Sequence, residues 1–333
     1  MARKRVTLED VAREAGVSTM TVSRVINNTG RISQATRDRV REIIIQLDYR
    51  PSRAARTLVT NKTFMIALVL PDITNPYFAE VLQGTENVAW QRDYSVLLVN
   101  TDENLAREQA ALSQIEETTV DGIIVCAPRL PDYVLLPLIE KHQCVVAVNR
   151  QVPHHLASVV RSRYAQGHRA LRAAELLIEL GRRRIGYIRL ARSAIAVEAD
   201  QFVQAVQARG IPSSPEWCVT CPPNWQAGYE AGRALLMDHP ELDALIGGND
   251  LVALGAMRAA IELGRRIPDD LAIIGGDDIL MASQVTPALT TFRSPKREIG
   301  TIAAQLLFKR IDGDTEYHEH LYDELLVRRG STG

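Results

Sequence analysis

The chain has 333 residues, of which 46% are hydrophobic and 24% charged, and its formal net charge is -1. These values are those of an ordinary globular protein and exclude a disordered chain, a collagen-like chain and a disulfide scaffold. No apolar run reaches the roughly 18 residues that a membrane span requires, and the basic start of the chain leads into polar sequence rather than a signal peptide. We therefore expect a cytoplasmic protein.

The near-zero net charge hides an uneven distribution along the chain. Residues 1–63 contain 13 Lys and Arg against 6 Asp and Glu, a charge of +7, whereas residues 64–333 carry -8. Because cations placed near phosphates release condensed counterions, the first segment predicts a polyanionic partner. Its only aromatic residue is Tyr49, which is too few rings for the stacking platform of single-strand binders. We expect a nucleic-acid duplex as the target.

The basic segment predicts three short helices. Thr7 is placed to cap the first, which ends at Gly16, and Ser18 is placed to cap the second, over residues 19–27. A third helix is predicted over residues 33–47 and closes a miniature core. Two helices joined by a glycine turn form the helix-turn-helix pattern, whose second helix enters the major groove of DNA.

Residues 7–58 resemble the DNA-binding headpiece of the lactose-repressor (LacI/GalR) family. The resemblance rests on the runs TLEDVAREAGVSTMTVSRVIN, ISQATRDRV and LDYRPSRAARTL. It implies base reading by Thr19, Met20 and Arg24, of which Arg24 is suited to the bidentate contact with guanine. The whole set of DNA-contacting residues that the resemblance predicts is Thr7, Ser18, Thr19, Met20, Thr21, Ser23, Arg24, Asn27, Arg53, Ala55 and Leu58.

Residues 51–62 match the hinge helix of that family. Pro51 suits the first helical position, and Leu58 matches the leucine that the family wedges into the central minor-groove step of a palindrome. A segment this short is not stably helical alone, so its folding is expected to require DNA and a second subunit. The alternative is that Leu58 packs on the next domain.

From residue 64 onward, strands and helices alternate in two successive series joined by a link. Apolar strands between amphipathic helices indicate parallel sheets covered on both faces, and two series imply two lobes. The family resemblance continues here in the runs LPDITNPYF, DGII, GNDLVALGA, IPDDLAIIG and TPALTTF. It implies an α/β fold with an all-α helix-turn-helix headpiece (1–50), a hinge helix (51–62) and a two-lobed, periplasmic-binding-protein-like core of parallel sheets (63–333) for effector binding and dimerisation.

Lobed α/β folds bind ligands beyond the carboxyl ends of their strands. At these points the chain has Asn, Asp and Arg beside aromatic rings, which suit a polyhydroxylated ligand. Helix capping alone is the alternative for Asp72, Thr74, Asn75 and Asp250. The effector-pocket positions that the resemblance implies are Asp72, Asn75, Phe78, Asn149, Trp225, Asn249 and Asp277.

Three departures from the family pattern affect this pocket. Arg163-Tyr164 stands where the family commonly has Asp-Asn, Glu198 stands where an arginine clamps sugar hydroxyls, and Gly276 replaces an aromatic residue. We add Arg163 and Glu198 to the predicted effector site. The alternatives are a compensating Arg163–Glu198 pair, a pocket rebuilt for a sugar with an amino or acidic group, and a pocket that no longer binds small molecules.

Two further motifs carry little chemistry. Cys218 and Cys221 form a C-x-x-C, but the other cysteines are distant and Pro222-Pro223 follows where a redox motif needs a helix. His318 and His320 share one face of a predicted strand without a third ligand. No catalytic or phosphate-binding motif is present, so we expect no enzyme, no cofactor and no metal.

Together these features predict a homodimeric transcriptional regulator, most simply a repressor of a palindromic operator, controlled by a sugar or sugar derivative. The tail lacks a leucine heptad, which favours a dimer over a tetramer, and the sign of the effector response stays open. A solute-binding receptor and a sugar-modifying enzyme such as a sugar kinase are the alternatives. Both leave the basic segment unexplained, and the sequence has neither a signal peptide nor a phosphate-cradling loop.

Overall fold

The computed structural model of the chain contains two compact units, residues 1–63 and residues 64–333. No helix in the described part is long and apolar enough to cross a membrane. Most of the predicted hinge lies outside the described residues, as do Asn27, Arg53, Ala55 and Leu58. The boundaries at residues 50 and 62 therefore stay predictions. The described residues are 6–26, 29–49, 60, 62–115, 119–164, 168–191 and 198–333.

The smaller unit is a bundle of short helices around a miniature apolar core. Thr7 and Asp10 form the predicted cap, because the Thr7 hydroxyl accepts a hydrogen bond from the Asp10 amide and the Asp10 carboxylate accepts one from the Thr7 amide. Gly16 ends the first helix with φ of 63°, a left-handed conformation that favours glycine. The helices lie within a residue or two of their predicted ranges and are α1 (Leu8–Ala15), α2 (Thr19–Ile26) and α3 (Gln34–Gln46).

The larger unit is an α/β structure with two parallel sheets, as predicted. Its strands are β1 (Met65–Leu70), β2 (Ser95–Asn100), β3 (Gly122–Cys126), β4 (Val145–Val148), β5 (Ser158–Ser162), β6 (Ile185–Leu190), β7 (Cys218–Cys221), β8 (Ala244–Gly247), β9 (Ala272–Ile274), β10 (Thr291–Arg293), β11 (Glu319–Tyr322) and β12 (Leu325–Val327). Its helices are α4 (Pro76–Gln91), α5 (Leu105–Gln114), α6 (Asp132–Ile139), α7 (His168–Glu179), α8 (Glu198–Gln207), α9 (Trp225–Asp238), α10 (Asp250–Glu262), α11 (Leu280–Gln284) and α12 (Lys296–Ile311).

Each sheet belongs to one lobe. The first has the order β11-β5-β4-β3-β1-β2 and the second the order β7-β6-β8-β9, with all neighbouring strands parallel. A separate antiparallel pair, β10 with β12, lies beside the second sheet, since Ile274 and Asp277 bridge to Thr290 and Arg293. The carboxyl ends of parallel strands meet at one edge, so each lobe presents its strand-end loops together.

The two predicted series form the two sheets, but the chain does not complete the first lobe before it begins the second. After β10 the chain returns to the first lobe, where α12 packs on α4 and β11 pairs with β5. It then enters the second lobe again at β12. Among the described elements, the chain therefore passes between the lobes from β5 to α7, from β10 to α12 and from β11 to β12.

Two glycines allow α4 and α12 to pack backbone against backbone. A Cβ atom at Gly300 would lie 1.9 Å from the carbonyl oxygen of Val81, and one at Gly84 would lie 2.0 Å from that of Arg297. The Thr85 hydroxyl donates to the Gly300 carbonyl oxygen at 3.3 Å. This contact fixes the C-terminal helix against the first lobe.

Candidate functional site

The first candidate site is the exposed face of α2 in the smaller unit. Val22 and Val25 bury the opposite face of this helix in the miniature core. Thr19 and Arg24 are exposed, and Met20 exposes 61% of its surface. An exposed face at the start of the second helix is the surface that a helix-turn-helix presents to base edges in a major groove.

The hydroxyl groups around this face already have local partners. Ser18 caps α2, since its Oγ accepts a hydrogen bond from the Thr21 amide at 3.2 Å and lies 3.0 Å from the Thr21 hydroxyl. Thr7 and Ser18 are nevertheless exposed, and Thr21 and Ser23 are half-buried. The contact of these four residues with DNA stays a prediction.

The second candidate site is a cavity of about 690 Å³ between the two lobes of the larger unit. Its walls come from the strand ends and loops of both sheets, for example Asn149 after β4 and Gly247 at the end of β8. A cleft of this size, with rings and a few convergent polar groups, is the usual setting for a small ligand. Its aromatic lining consists of Tyr77, Phe78, Tyr164, Tyr187, Phe292 and Tyr322.

The structure brings some of the predicted effector residues to this cavity and leaves others outside its described lining. Asp72 accepts hydrogen bonds from the amide and hydroxyl of Thr74 and so shapes a local turn. Arg163 is 53% exposed and pairs with Asp323 at 2.9 Å, and the ring of Trp225 stacks on Tyr229. The predicted residues that line the cavity are Asn75, Phe78, Asn149, Asn249 and Asp277.

Glu198 is the first residue of α8, but its side chain lies outside the described part of the chain. A compensating pair between Glu198 and Arg163 is not needed to explain the arginine, because Asp323 already pairs with it.

Two of the cavity asparagines are also helix caps, the role that was the alternative for Asn75. The Asn75 Oδ1 atom accepts a hydrogen bond from the Tyr77 amide at 3.0 Å, and the Asn249 Oδ1 atom accepts one from the Val252 amide at 2.9 Å. The Asn249 Nδ2 atom donates to the Pro223 carbonyl oxygen at 3.2 Å. Both asparagines are buried, and both are fixed in place by the helix that each begins.

Asn149 joins two tyrosines on the first-lobe wall. Its Nδ2 atom donates to the Tyr77 hydroxyl at 2.8 Å, and its Oδ1 atom accepts from the Tyr322 hydroxyl at 2.7 Å. Burial raises the pKa of both tyrosines above the ordinary value, so both hydroxyls are protonated. Both polar atoms of the Asn149 amide therefore have a partner within this wall.

The loop that carries Asp277 is fixed by the side chains of Asp250 and Lys296, which lie outside the described cavity lining. The buried Asp250 carboxylate accepts hydrogen bonds from the Ile279 amide at 2.8 Å and from the Thr291 hydroxyl. Burial raises the pKa of Asp250. Lys296 is also buried and donates from Nζ to the carbonyl oxygens of Asp277 and Asp278, each at 2.8 Å. Asp250 thus positions the Asp277 loop from outside the cavity lining.

Arg169 is a cavity residue that the sequence did not single out. It lies in the first turn of α7, and its guanidinium donates from Nη1 to Asp277 at 3.2 Å and from Nε and Nη2 to Glu324. Burial alone would raise the pKa of Glu324, but the adjacent Arg169 lowers it below the ordinary value. The Arg169–Glu324 pair is therefore ionised. It links the start of α7, just after the chain enters the second lobe, to the segment between β11 and β12, where the chain enters that lobe again.

The other arginines that line the cavity each have a carboxylate partner. Arg129 is bonded by Nε and Nη2 to Glu103 at 2.6 and 2.8 Å. Arg150 pairs with Asp132 at 2.6 Å, and Arg161 with Glu319 at 2.7 Å. No short sequence motif predicts these ion pairs, because the fold brings together residues that are distant in sequence.

The buried cysteines are expected to resist alkylation. Burial raises the pKa of Cys126 to about 12 and that of Cys221 to about 11, so about one Cys221 in a thousand is a thiolate at pH 8. Mass spectrometry after iodoacetamide treatment at pH 8 should find both unmodified, whereas the same sample in urea should label at all four cysteines. Rapid labelling of native Cys221 would contradict this and restore a redox role for the C-x-x-C motif.

The histidine pattern near the end of the chain has a different local partner. His318 precedes β11, and its Nε2 atom lies 2.8 Å from an Asp314 carboxylate oxygen, with Glu316 in the same cluster. His320 lies within β11. The expectation of no metal rests on the sequence alone.

Comparison with known proteins gives two matching families. The family described as bacterial regulatory proteins, lacI family, matches residues 7–52, and a periplasmic binding protein-like domain matches residues 174–332. The ribose operon repressor of Halalkalibacterium halodurans is 35% identical over 98% of this chain and 97% of its own length.

Two solved structures resemble the whole chain. The regulator CelR in complex with cellobiose has a TM-score of 0.70 and 30% identity, covering 98% of this chain and 100% of that one. The Lac repressor dimer bound to operator and the anti-inducer ONPF has a TM-score of 0.87 at 23% identity, covering 99% of both chains, and so shares the fold.

Proposed function

Because this chain belongs to the lacI family of bacterial regulatory proteins, we propose that it is a DNA-binding transcriptional repressor whose operator affinity is set by a small molecule in the interlobe cavity. The observation that carries the DNA-binding part is the face of α2, where Thr19, Met20 and Arg24 are exposed opposite a buried core. The excess of +7 in residues 1–63 supports a duplex partner.

The effector is a sugar or sugar derivative. Rings cover the apolar C–H faces of such a ligand, and amides, carboxylates and guanidinium groups meet its hydroxyls. The described cavity lining offers all of these groups. The similar regulator CelR binds cellobiose, which supports a carbohydrate here. A pocket of this composition does not favour the alternative that small-molecule binding was lost.

The regulator acts as a cytoplasmic homodimer without catalytic activity. Each headpiece would read one half-site, and paired hinges would meet in the minor groove at the dyad. An effector that favours one lobe orientation by a few kcal/mol would change operator affinity about a hundredfold, and the coupling is reciprocal. The effector could either release the repressor from its operator or strengthen its binding there, and the gel shift distinguishes the two.

The direct test is a gel shift with palindromic duplexes selected by the protein from a random library, with and without neutral sugars. We expect specific, salt-sensitive binding that responds to at least one sugar. Failure to select any palindrome would contradict the DNA-binding part, whereas specific binding without any sugar response would contradict the effector part alone.

Replacing Arg24 by alanine should relax specificity at one base pair of each half-site. Loss of the bidentate contact costs about 1–3 kcal/mol against the cognate base and little against other bases. Competition gel shifts with single-base operator variants measure this. Arg13→Ala is the control, since Arg13 is exposed on α1 and pairs with Asp10. Equal weakening on every duplex would mean that Arg24 contacts phosphate instead.

A further inference from the structure

Arg169 occupies an unusual position among the charged residues of the cavity. Its side chain is 26% exposed, and it lies on the second-lobe side, between Asp277 and Glu324. A guanidinium has five N–H donors, and three of them are engaged with these two carboxylates. Two N–H groups remain without a partner among the described residues, in a side chain that lines the cavity.

Gly276 makes this position available. A Cβ atom on residue 276 would lie 2.5 Å from Arg169 Nη1 and 3.0 Å from its Cδ, closer than side-chain atoms approach each other. Where the family resemblance implies an aromatic residue, this chain therefore has space that Arg169 fills. The backbone of Gly276 has no left-handed conformation to forbid a side chain, so the arginine is what a larger residue would displace.

Glu324 fixes the direction of the guanidinium. It is 7% exposed, accepts from both Nε and Nη2 of Arg169, and also accepts from the Ser294 hydroxyl at 3.1 Å. A guanidinium held by a two-point pair has little freedom left to lose when a ligand binds. Arg169 is thus aligned before the effector arrives.

We propose that Arg169 and Asp277 together form a clamp for two neighbouring hydroxyl groups of a neutral sugar, with Glu324 and Gly276 as positioning residues. One hydroxyl donates to the Asp277 carboxylate while the adjacent hydroxyl accepts from a free N–H of Arg169. A hydroxyl both donates and accepts, so a vicinal diol satisfies both partners. This inference rests on the proposed effector function and names the ligand group at one end of the cavity.

The clamp discriminates against acidic sugars. Arg169 already faces two carboxylates, and Arg129, Arg150 and Arg161 each face one. A ligand carboxylate at the clamp would bring a third negative charge to one guanidinium and would have no proton to give Asp277. Because Arg169, Asp277 and Glu324 together carry a charge of -1, a uronate is also repelled when its ring hydroxyls occupy the clamp and its carboxylate lies elsewhere in the cavity. The neutral member of a matched sugar pair should therefore bind more tightly than the acid.

The experiment is calorimetry of the full-length protein with D-ribose, cellobiose and two matched pairs, D-glucose with D-glucuronate and D-galactose with D-galacturonate. Wild type is compared with Arg169→Lys, Gly276→Ala and the double variant. Arg169→Lys keeps the charge but loses the planar fork, and Gly276→Ala keeps every charged group but displaces the guanidinium. Arg209→Lys is the matched control: Arg209 pairs with Glu175 of α7 at the surface and is outside the described cavity lining.

Each single variant should weaken binding of the preferred neutral sugar by about tenfold, and the double variant should lose little more, because both changes remove the same contact. The preference for neutral over acidic sugar should fall as well, which a merely structural defect would not produce. Additive losses in the double variant, wild-type affinity in Arg169→Lys, or a wild type that prefers the acids would overturn the clamp while leaving the regulator function intact. A wild type that binds no sugar in the panel would contradict the carbohydrate effector itself, and the clamp with it.

Discussion

Replacing Asp277 with asparagine is expected to weaken effector binding by about 10- to 100-fold, because a hydrogen bond to a charged group contributes about 1.5–3 kcal/mol. The change removes a negative acceptor without altering shape. Asp277 has a φ of 119°, and asparagine tolerates positive φ better than most residues. Lys296 binds the backbone carbonyl of residue 277, so the loop should keep its conformation.

Calorimetry with the tightest neutral sugar measures the loss, and gel shifts should show that the operator responds only at correspondingly higher sugar concentration. Asp269→Asn is the control, since it makes the same chemical change at an exposed position of the same lobe, where the carboxylate lies 3.9 Å from Arg266. Unchanged sugar affinity in Asp277→Asn would remove this residue from the effector site.

Replacing Gly300 with alanine is expected to destabilise the larger unit by about 3 kcal/mol or more, through overpacking of α12 against α4. In an ordinary helix the same change stabilises by up to about 1 kcal/mol. Here the new methyl group would lie 1.9 Å from the Val81 carbonyl oxygen, and a backbone atom cannot move aside alone. A loss of stability, rather than a gain, would therefore indicate that the backbones of α4 and α12 are in close contact at Gly300.

Thermal unfolding followed by circular dichroism should show a midpoint lowered by about 6–12 °C. Gln305→Ala, at an exposed position of the same helix, should shift the midpoint by only a degree or two. A more stable Gly300→Ala protein would mean that α4 and α12 are not packed backbone to backbone.

The local structure of the smaller unit follows closely from its sequence. Thr7, Gly16 and Ser18 are each a start or stop signal whose mechanism involves residues within a turn of itself. The structure accordingly begins and ends α1 and α2 within a residue of the predicted positions in the described part of the chain. Short-range chemistry of this kind does not depend on the rest of the fold.

The sequence predicts that the larger unit contains buried parallel strands, but it does not predict how the later strands and helices connect the two lobes. Apolar strands such as β1 and β3 are recognisable in the sequence, because a buried parallel strand is apolar on both faces. The helix α12 and the strands β10 and β12 were not predicted, and a strand was predicted only around His318 and His320. The placement of all four elements depends on partners far away in sequence. No local pattern states that β11 pairs with β5 rather than with a strand of the second lobe.

The candidate effector site shows the same division. Asn75, Asn249 and Asp277 lie within five residues of the carboxyl end of a strand, where ligand residues are expected. Arg169 follows the first lobe crossing and Glu324 lies in the last one, so Glu324 reaches Arg169 only after the chain has returned to the first lobe and left it again. One local indication was Gly276, where the aromatic residue typical of the family is absent. Arg169, which is distant in sequence, fills the space.

The return of the chain to the first lobe at α12 also constrains synthesis on the ribosome. Ile299, Ala303, Leu307 and Phe308 of this helix are part of the core that covers β1, β3 and β4. At roughly 5–20 residues per second, the nascent first lobe waits roughly 8–30 s, from β5 until β11, before its sheet can be completed. Until α12 is synthesised, the part of this core that the helix covers lacks its partner, so we expect nascent chains and prematurely terminated products to depend on chaperones more than the complete protein does.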